Sequence, residues 1–75
     1  MVTTYVLEFL NVENNYTVFE YSKTLSNLKD YVSNAPIKIK DKYRIIKLRG
    51  DYFGEGYHEY YLIHNGNKFV KTKLR

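Results

Sequence analysis

The sequence predicts an α+β domain of element order ββαβββ, with one short helix packed on a mostly antiparallel sheet. Three observations lead there. Residues 19–36 are the only stretch with a helical period, nearly everything else alternates with a period of two, and Asn65-Gly66 separates two alternating runs as a hairpin turn does. At 75 residues the chain makes one domain, residues 1–75. A domain of that size buries only about 60% of its unfolded surface. No cysteine is present, so no disulfide makes up the difference.

The first strand is Thr3–Leu10, with Tyr5, Leu7 and Phe9 on one side and Thr4, Val6, Glu8 and Leu10 on the other, both sides partly covered. Asn11, Val12, Glu13, Asn14 and Asn15 form a turn, because asparagine tolerates positive φ and bonds its own backbone. Residues 16–21 return as the second strand of a hairpin, with Thr17, Phe19 and Tyr21 on one face and Tyr16, Val18 and Glu20 on the other. Leu25, Leu28 and Val32 share one helical face, which places the helix at Leu25–Ser33. Thr24 or Ser22 caps its start, Asn34 ends it in the left-handed conformation, and Pro36 bars continuation. At two to three turns, roughly, the helix needs a sheet against its leucine face.

After it, Ile37-Lys38-Ile39-Lys40 alternates and reads as an edge piece or extended connector, with Asp41 opening the next turn. Residues 42–49 are the best strand of the second half and belong near the sheet centre, with Ile46 and Leu48 on one face and Tyr43 and Ile45 on the other. In residues 50–56 three glycines enclose Tyr52 and Phe53. That stretch reads as a wide connection whose rings fold back on the core, the alternative being a loop that presents them to a partner. Residues 57–63 and 68–74 then pair as a hairpin about His64-Asn65-Gly66-Asn67, with a type I′ turn at Asn65-Gly66.

Composition narrows the function classes. Nine tyrosines and four phenylalanines supply residue types that interfaces favour, and a homodimer is expected. No apolar run approaches the roughly 20 residues that span a bilayer, and no basic, apolar-cored leader opens the chain. The expected protein is soluble and cytoplasmic, with no membrane partner. Abundant Lys, Asn, Tyr and Ile beside single Ala and Pro residues is the usage of an AT-rich genome, such as that of a low-GC bacterium or its phage. The net charge of +4 is uneven: residues 1–34 hold two cations against four carboxylates, or −2, and residues 35–75 hold ten against four, or +6.

Chemistry-bearing constellations are sparse. His58 and His64 fall on one face of a strand, about 20 Å apart at roughly 3.3 Å per residue, so one metal cannot take both. Glu59 alternates away from both rings. Ser22, Ser26 and Ser33 sit where helix capping explains them. No glycine-rich phosphate loop opens a helix. The chain is therefore expected to be no enzyme, to hold no metal and to use no cofactor.

Two binding readings follow. In one, a basic tyrosine-rich sheet face carrying Arg44, Lys47, Lys71 and Tyr61 takes single-stranded nucleic acid, cations on phosphates and rings on bases. In the other, the protein docks on a host protein and inhibits it. Glu20-Tyr21-Ser22-Lys23-Thr24-Leu25-Ser26 and Ile45-Ile46-Lys47-Leu48-Arg49 carry the second reading. These segments resemble the small uracil-DNA glycosylase inhibitors of protein-primed phages, and residues 6–19 run in step with that family's first hairpin. The resemblance covers residues 6–49, about two-thirds of the chain, and implies two strands, a helix and a third strand that dimerise in the bacterial host cell. It also implies a DNA mimic that occupies the enzyme's DNA-binding groove with carboxylates, while helix aromatics grip an apolar side chain of the enzyme. By position, Glu20 matches a contacting carboxylate, Tyr31 falls near the key helix aromatic and an ungapped match puts Asp30 there. Asn34 replaces a second aromatic, and Glu13 belongs to the acidic turn. Family members are acidic where this chain is basic, and residues 50–75 have no counterpart in them.

Overall fold

The computed structural model describes residues 3–50 and 57–74. The strands are β1 (Thr3–Leu10), β2 (Tyr16–Ser22), β3 (Tyr43–Arg49), β4 (Tyr57–His64) and β5 (Phe69–Lys73). A helix, α1 (Leu25–Ser33), and a 3₁₀ turn at Lys40–Lys42 lie between β2 and β3. The strands form one sheet in the order β2-β1-β3-β4-β5, every neighbouring pair antiparallel. The α+β prediction holds. Because β2 and β3 both run opposite to β1, they are parallel to each other, and α1 supplies the crossover that such a connection needs. Helix and crossover together cover part of one face of the sheet.

The core forms between that face and the helix. Leu7, Ile45, Tyr43, Tyr60 and Leu62 from the sheet meet Leu28 and Val32, with Tyr5, Phe9, Leu25, Ala35, Ile39 and Phe69 packed around them. On the reverse face Val6, Ile46 and Leu48 are buried in turn. Of the three interior strands, β1 and β3 therefore bury apolar residues on both sides, as their sequences predict.

Two β-bulges depart from simple alternation. Leu7 pairs with Glu20 but Glu8 pairs with Val18, so Phe19 is an extra residue in β2. The bulge keeps Thr17, Phe19 and Glu20 on the helix side and sends Val18 and Tyr21 to the reverse face. Phe19 and Tyr21 are thus separated, and Glu20 joins Phe19 instead of opposing it. In β4, Lys47 pairs with Tyr60 but Leu48 pairs with His58, and Glu59 is the extra residue. His58 therefore faces away from the helix while His64, paired with Phe69, faces toward it, so the two histidines do not share a face.

The connections differ from expectation for local reasons. Thr24 is the helix N-cap, but its amide donates to Ser22 Oγ at 3.1 Å and its own side chain makes no capping bond. Asn34 stays right-handed at φ −89°, because the last turn tightens: the Ala35 amide donates to the Val32 carbonyl at 3.1 Å. Residues 37–40 are not extended. Ile39 donates to Pro36 and Lys42 to Ile39, which coils the connector into successive tight turns. Asn14, at φ 63°, is the positive-φ asparagine of the first turn. In the second hairpin positive φ falls on Gly66 (102°) and not on Asn65, so the turn is not type I′. His64 continues β4, Asn65 and Lys68 close the loop by a 3.0 Å backbone bond, and Asn65 Oδ1 accepts from the amides of Asn67 and Lys68. The expected lid of Tyr52 and Phe53 lies outside the described residues.

Candidate functional site

The bulge at Phe19 assembles an aromatic cluster from three elements. Its ring lies 5.4 Å from Tyr31 of α1 and 6.2 Å from Tyr43 of β3, and Tyr43 in turn lies 5.7 Å from Tyr31 and 4.8 Å from Phe9. These separations and tilted or edge-on planes are those aromatic pairs prefer. Tyr43 is the buried floor at 6% exposure, whereas Phe19 and Tyr31 remain 53% and 40% exposed. Burial, then the hydrogen bond shared with Tyr31, pushes the Tyr43 phenol above its ordinary pKa. A cleft of about 340 Å³ opens beside the cluster, lined by Tyr31, Asn34, Ala35, Pro36 and Tyr43. Pro36 ends the helix and Asn34 closes its last turn, so the helix terminus itself forms one wall.

Exposed carboxylates neighbour two of these rings in the chain. Glu20 follows Phe19 on the exposed edge strand, and Asp30 precedes Tyr31 on the helix, exposed as well. The Phe19–Tyr31 contact joins the two elements that carry them. Glu13 stands apart in the β1–β2 turn, its amide held by Asn11 Oδ1 at 2.9 Å. Of the four residues expected at a partner surface, Tyr31 belongs to the cluster and lines the cleft, Glu20 and Asp30 are exposed chain neighbours of its rings that do not line the cleft, and Glu13 lies in the β1–β2 turn. Phe19 and Tyr43 were not legible as site residues, because the bulge that presents Phe19 leaves no mark in the alternation of β2.

The four residues of the nucleic-acid reading divide between the two faces. Arg44 and Tyr61 are on the reverse face, where Arg44 Nε donates to Glu8 Oε1 at 2.6 Å and the guanidinium lies 3.7 Å from the Tyr16 ring centroid and 5.8 Å from that of Tyr61. Lys47 and Lys71 are on the helix side, next to Tyr60. There Lys47 Nζ pairs with Glu59 Oε2 at 2.9 Å. The contact raises the Lys47 pKa and lowers that of Glu59. His64 is buried, accepts the Gly66 amide on Nδ1 at 2.9 Å and meets Phe69 edge-on at 4.9 Å, which accounts for it as a loop-closing residue. Among the described residues no three His, Asp or Glu side chains cluster as metal ligands, and no helix is long and apolar enough to cross a membrane. Comparison with known proteins finds no matching family model, curated protein or solved structure.

Proposed function

We propose that the protein is a non-enzymatic, phage-type inhibitor that docks on a host protein as a homodimer, its most specific target being uracil-DNA glycosylase. The observation that carries the reading is the half-exposed pair of Phe19 and Tyr31 over the buried Tyr43, beside a cleft at the helix terminus, with exposed Glu20 and Asp30 next to those rings in the chain. Apolar rings floored by a buried tyrosine suit an inserted aliphatic side chain, and exposed carboxylates around them suit the basic rim of a DNA-binding groove. An enzyme that pushes an apolar residue into DNA offers both features. The reverse face of the edge strand β2, bearing exposed Val18 and Tyr21, supplies apolar area for a second copy.

The test is uracil excision by a bacterial uracil-DNA glycosylase with the protein titrated in. Inhibition near one equivalent, unmoved by excess uracil-free DNA, is the expected result. Tyr31→Ala removes a cleft wall and weakens inhibition by about 30-fold or more, the loss of a central aromatic anchor of about 2 kcal/mol. Glu20→Ala weakens it less and leaves the fold intact. Unchanged excision at tenfold excess, roughly, would reject this target.

A further inference from the structure

On the helix side of the sheet, beyond the end of the sheet that α1 covers, the second half of the chain builds a different surface. In cross-strand register Lys47 of β3, Tyr60 of β4 and Lys73 of β5 form one row, Arg49 stands beside Tyr57, and Lys71 stands beside Leu62. Two cationic strands therefore flank a central strand that bears tyrosines, with the outer strands about 10 Å apart at the usual inter-strand spacing. A depression of about 190 Å³ lies there, lined by Lys47, Glu59, Tyr60, Lys71 and Lys73. Lys71 Nζ sits 4.3 Å and Lys47 Nζ 5.5 Å from the Tyr60 ring centroid.

Charge balance decides what the depression takes. Among the described residues three cations, Lys47, Lys71 and Lys73, line it with one carboxylate, Glu59, which leaves an excess of two positive charges. Glu59 is occupied by Lys47. Lys71 and Lys73 alternate on β5, so they stand about 7 Å apart along the strand and form a track in place of a point. Tyr5, whose hydroxyl bonds with that of Tyr60, adds a third ring to the same face.

We infer that this basic, tyrosine-floored groove between β3 and β5 is a second binding site, for the phosphodiester backbone of single-stranded nucleic acid. The inference is independent of the inhibitor reading, since it uses other residues on another part of the molecule. Cations arranged in two rows neutralise successive phosphates, and the partly exposed rings of Tyr5 and Tyr57, beside the buried Tyr60, meet unpaired bases. Arg44 and Tyr61 take no part, being on the reverse face. Glu59 opposes binding, because its charge competes with phosphate for the same lysines.

The experiment is fluorescence anisotropy of a labelled oligothymidine with the full chain, repeated across a salt series. The expected binding weakens linearly with log salt, with a slope of about −0.7 for each phosphate contacted. Lys71→Ala with Lys73→Ala lowers that slope by about 1.4. Lys38→Ala with Lys42→Ala, exposed residues at the opposite end of the strands, changes net charge equally and leaves the slope intact. Glu59→Gln tightens binding several-fold, a gain that damage to the fold cannot produce. The inference is overturned by absence of binding at low salt, by equal losses in the two lysine pairs, or by weaker binding of Glu59→Gln. Full competition by millimolar inorganic phosphate would reduce the groove to a single-ion site, and equal affinity for duplex would remove the role of the rings; either outcome also overturns it.

Discussion

Glu8 is a carboxylate at 8% exposure in the interior strand β1, and one contact makes its burial tolerable. Arg44 reaches it across the β1–β3 ladder at 2.6 Å while its guanidinium lies over Tyr16. Arg44→Met keeps the stem and deletes the charge, leaving Glu8 without its partner. The expected loss is about 2–3 kcal/mol, the range for a hydrogen bond to a charged group left unmade. Glu8→Leu together with Arg44→Met recovers most of it, since paired apolar replacements often cost little. Urea midpoints of the two variants decide the matter, and a double variant as unstable as the single one would count against the argument. Glu8 reads in sequence only as one of four residues, with Thr4, Val6 and Leu10, on a partly covered face of the first strand. Its importance comes from a partner 36 positions away, and no local pattern encodes that pairing.

At the level of elements, glycine and bulges set what alternation leaves open. Gly66 has φ 102°, yet a Cβ built on it meets nothing within 4 Å. Gly66→Ala is therefore a test of backbone conformation alone, and it lowers stability by about 1–2 kcal/mol with no new clash. Hydrogen exchange places the loss: the β4–β5 hairpin exchanges faster, while β1 and β3 keep their protection unless the whole domain is near unfolding. Strand β3 was legible because Tyr43, Ile45, Ile46 and Leu48 are apolar on both faces, which only an interior strand satisfies. Helix α1 was legible from Leu25, Leu28 and Val32. The bulges were not, because Phe19 and Glu59 lengthen their strands by one residue without interrupting their β-forming character. Each bulge matters to a site: one turns Phe19 and Glu20 onto the side of Tyr31, and the other sets Glu59 against Lys47. The tight turns after Pro36 were hidden because Ile37-Lys38-Ile39-Lys40 alternates like a strand. Its geometry is settled by backbone bonds to Pro36 and Ile39.

For the molecule as a whole, strand order turns a sequence asymmetry into a spatial one. The half carrying −2 contributes β2, β1 and α1 at one edge, and the half carrying +6 contributes β3, β4 and β5 toward the other. The half that carries Glu20, Asp30 and Tyr31 is thus net negative and the half that carries the proposed groove is net positive, so a partner of either sign has a preferred approach. The same charges determine how stability responds to pH. Glu59 is held below its ordinary 4.5 by hydrogen bonding to Lys47, so its contribution is complete above that value and is lost as pH falls through the lowered one. On the alkaline side Lys47 is raised above 10.5 by Glu59, and Tyr43 and Tyr60 are raised above 10.0, chiefly by burial. Their contributions are complete below those ordinary values and are lost as pH rises through the raised ones. Acid adds self-repulsion, because protonating the eight carboxylates leaves twelve lysine and arginine charges unopposed. The expected curve of melting temperature against pH is a plateau from about 4.5 to about 10, with losses on both sides. Added salt softens the acid loss by screening that repulsion, while the alkaline loss coincides with the appearance of phenolate absorbance. Tyr43→Phe removes one raised phenol and makes the alkaline limb shallower; an unaltered limb in that variant would show that the ionisation of Tyr43 does not limit the core at high pH.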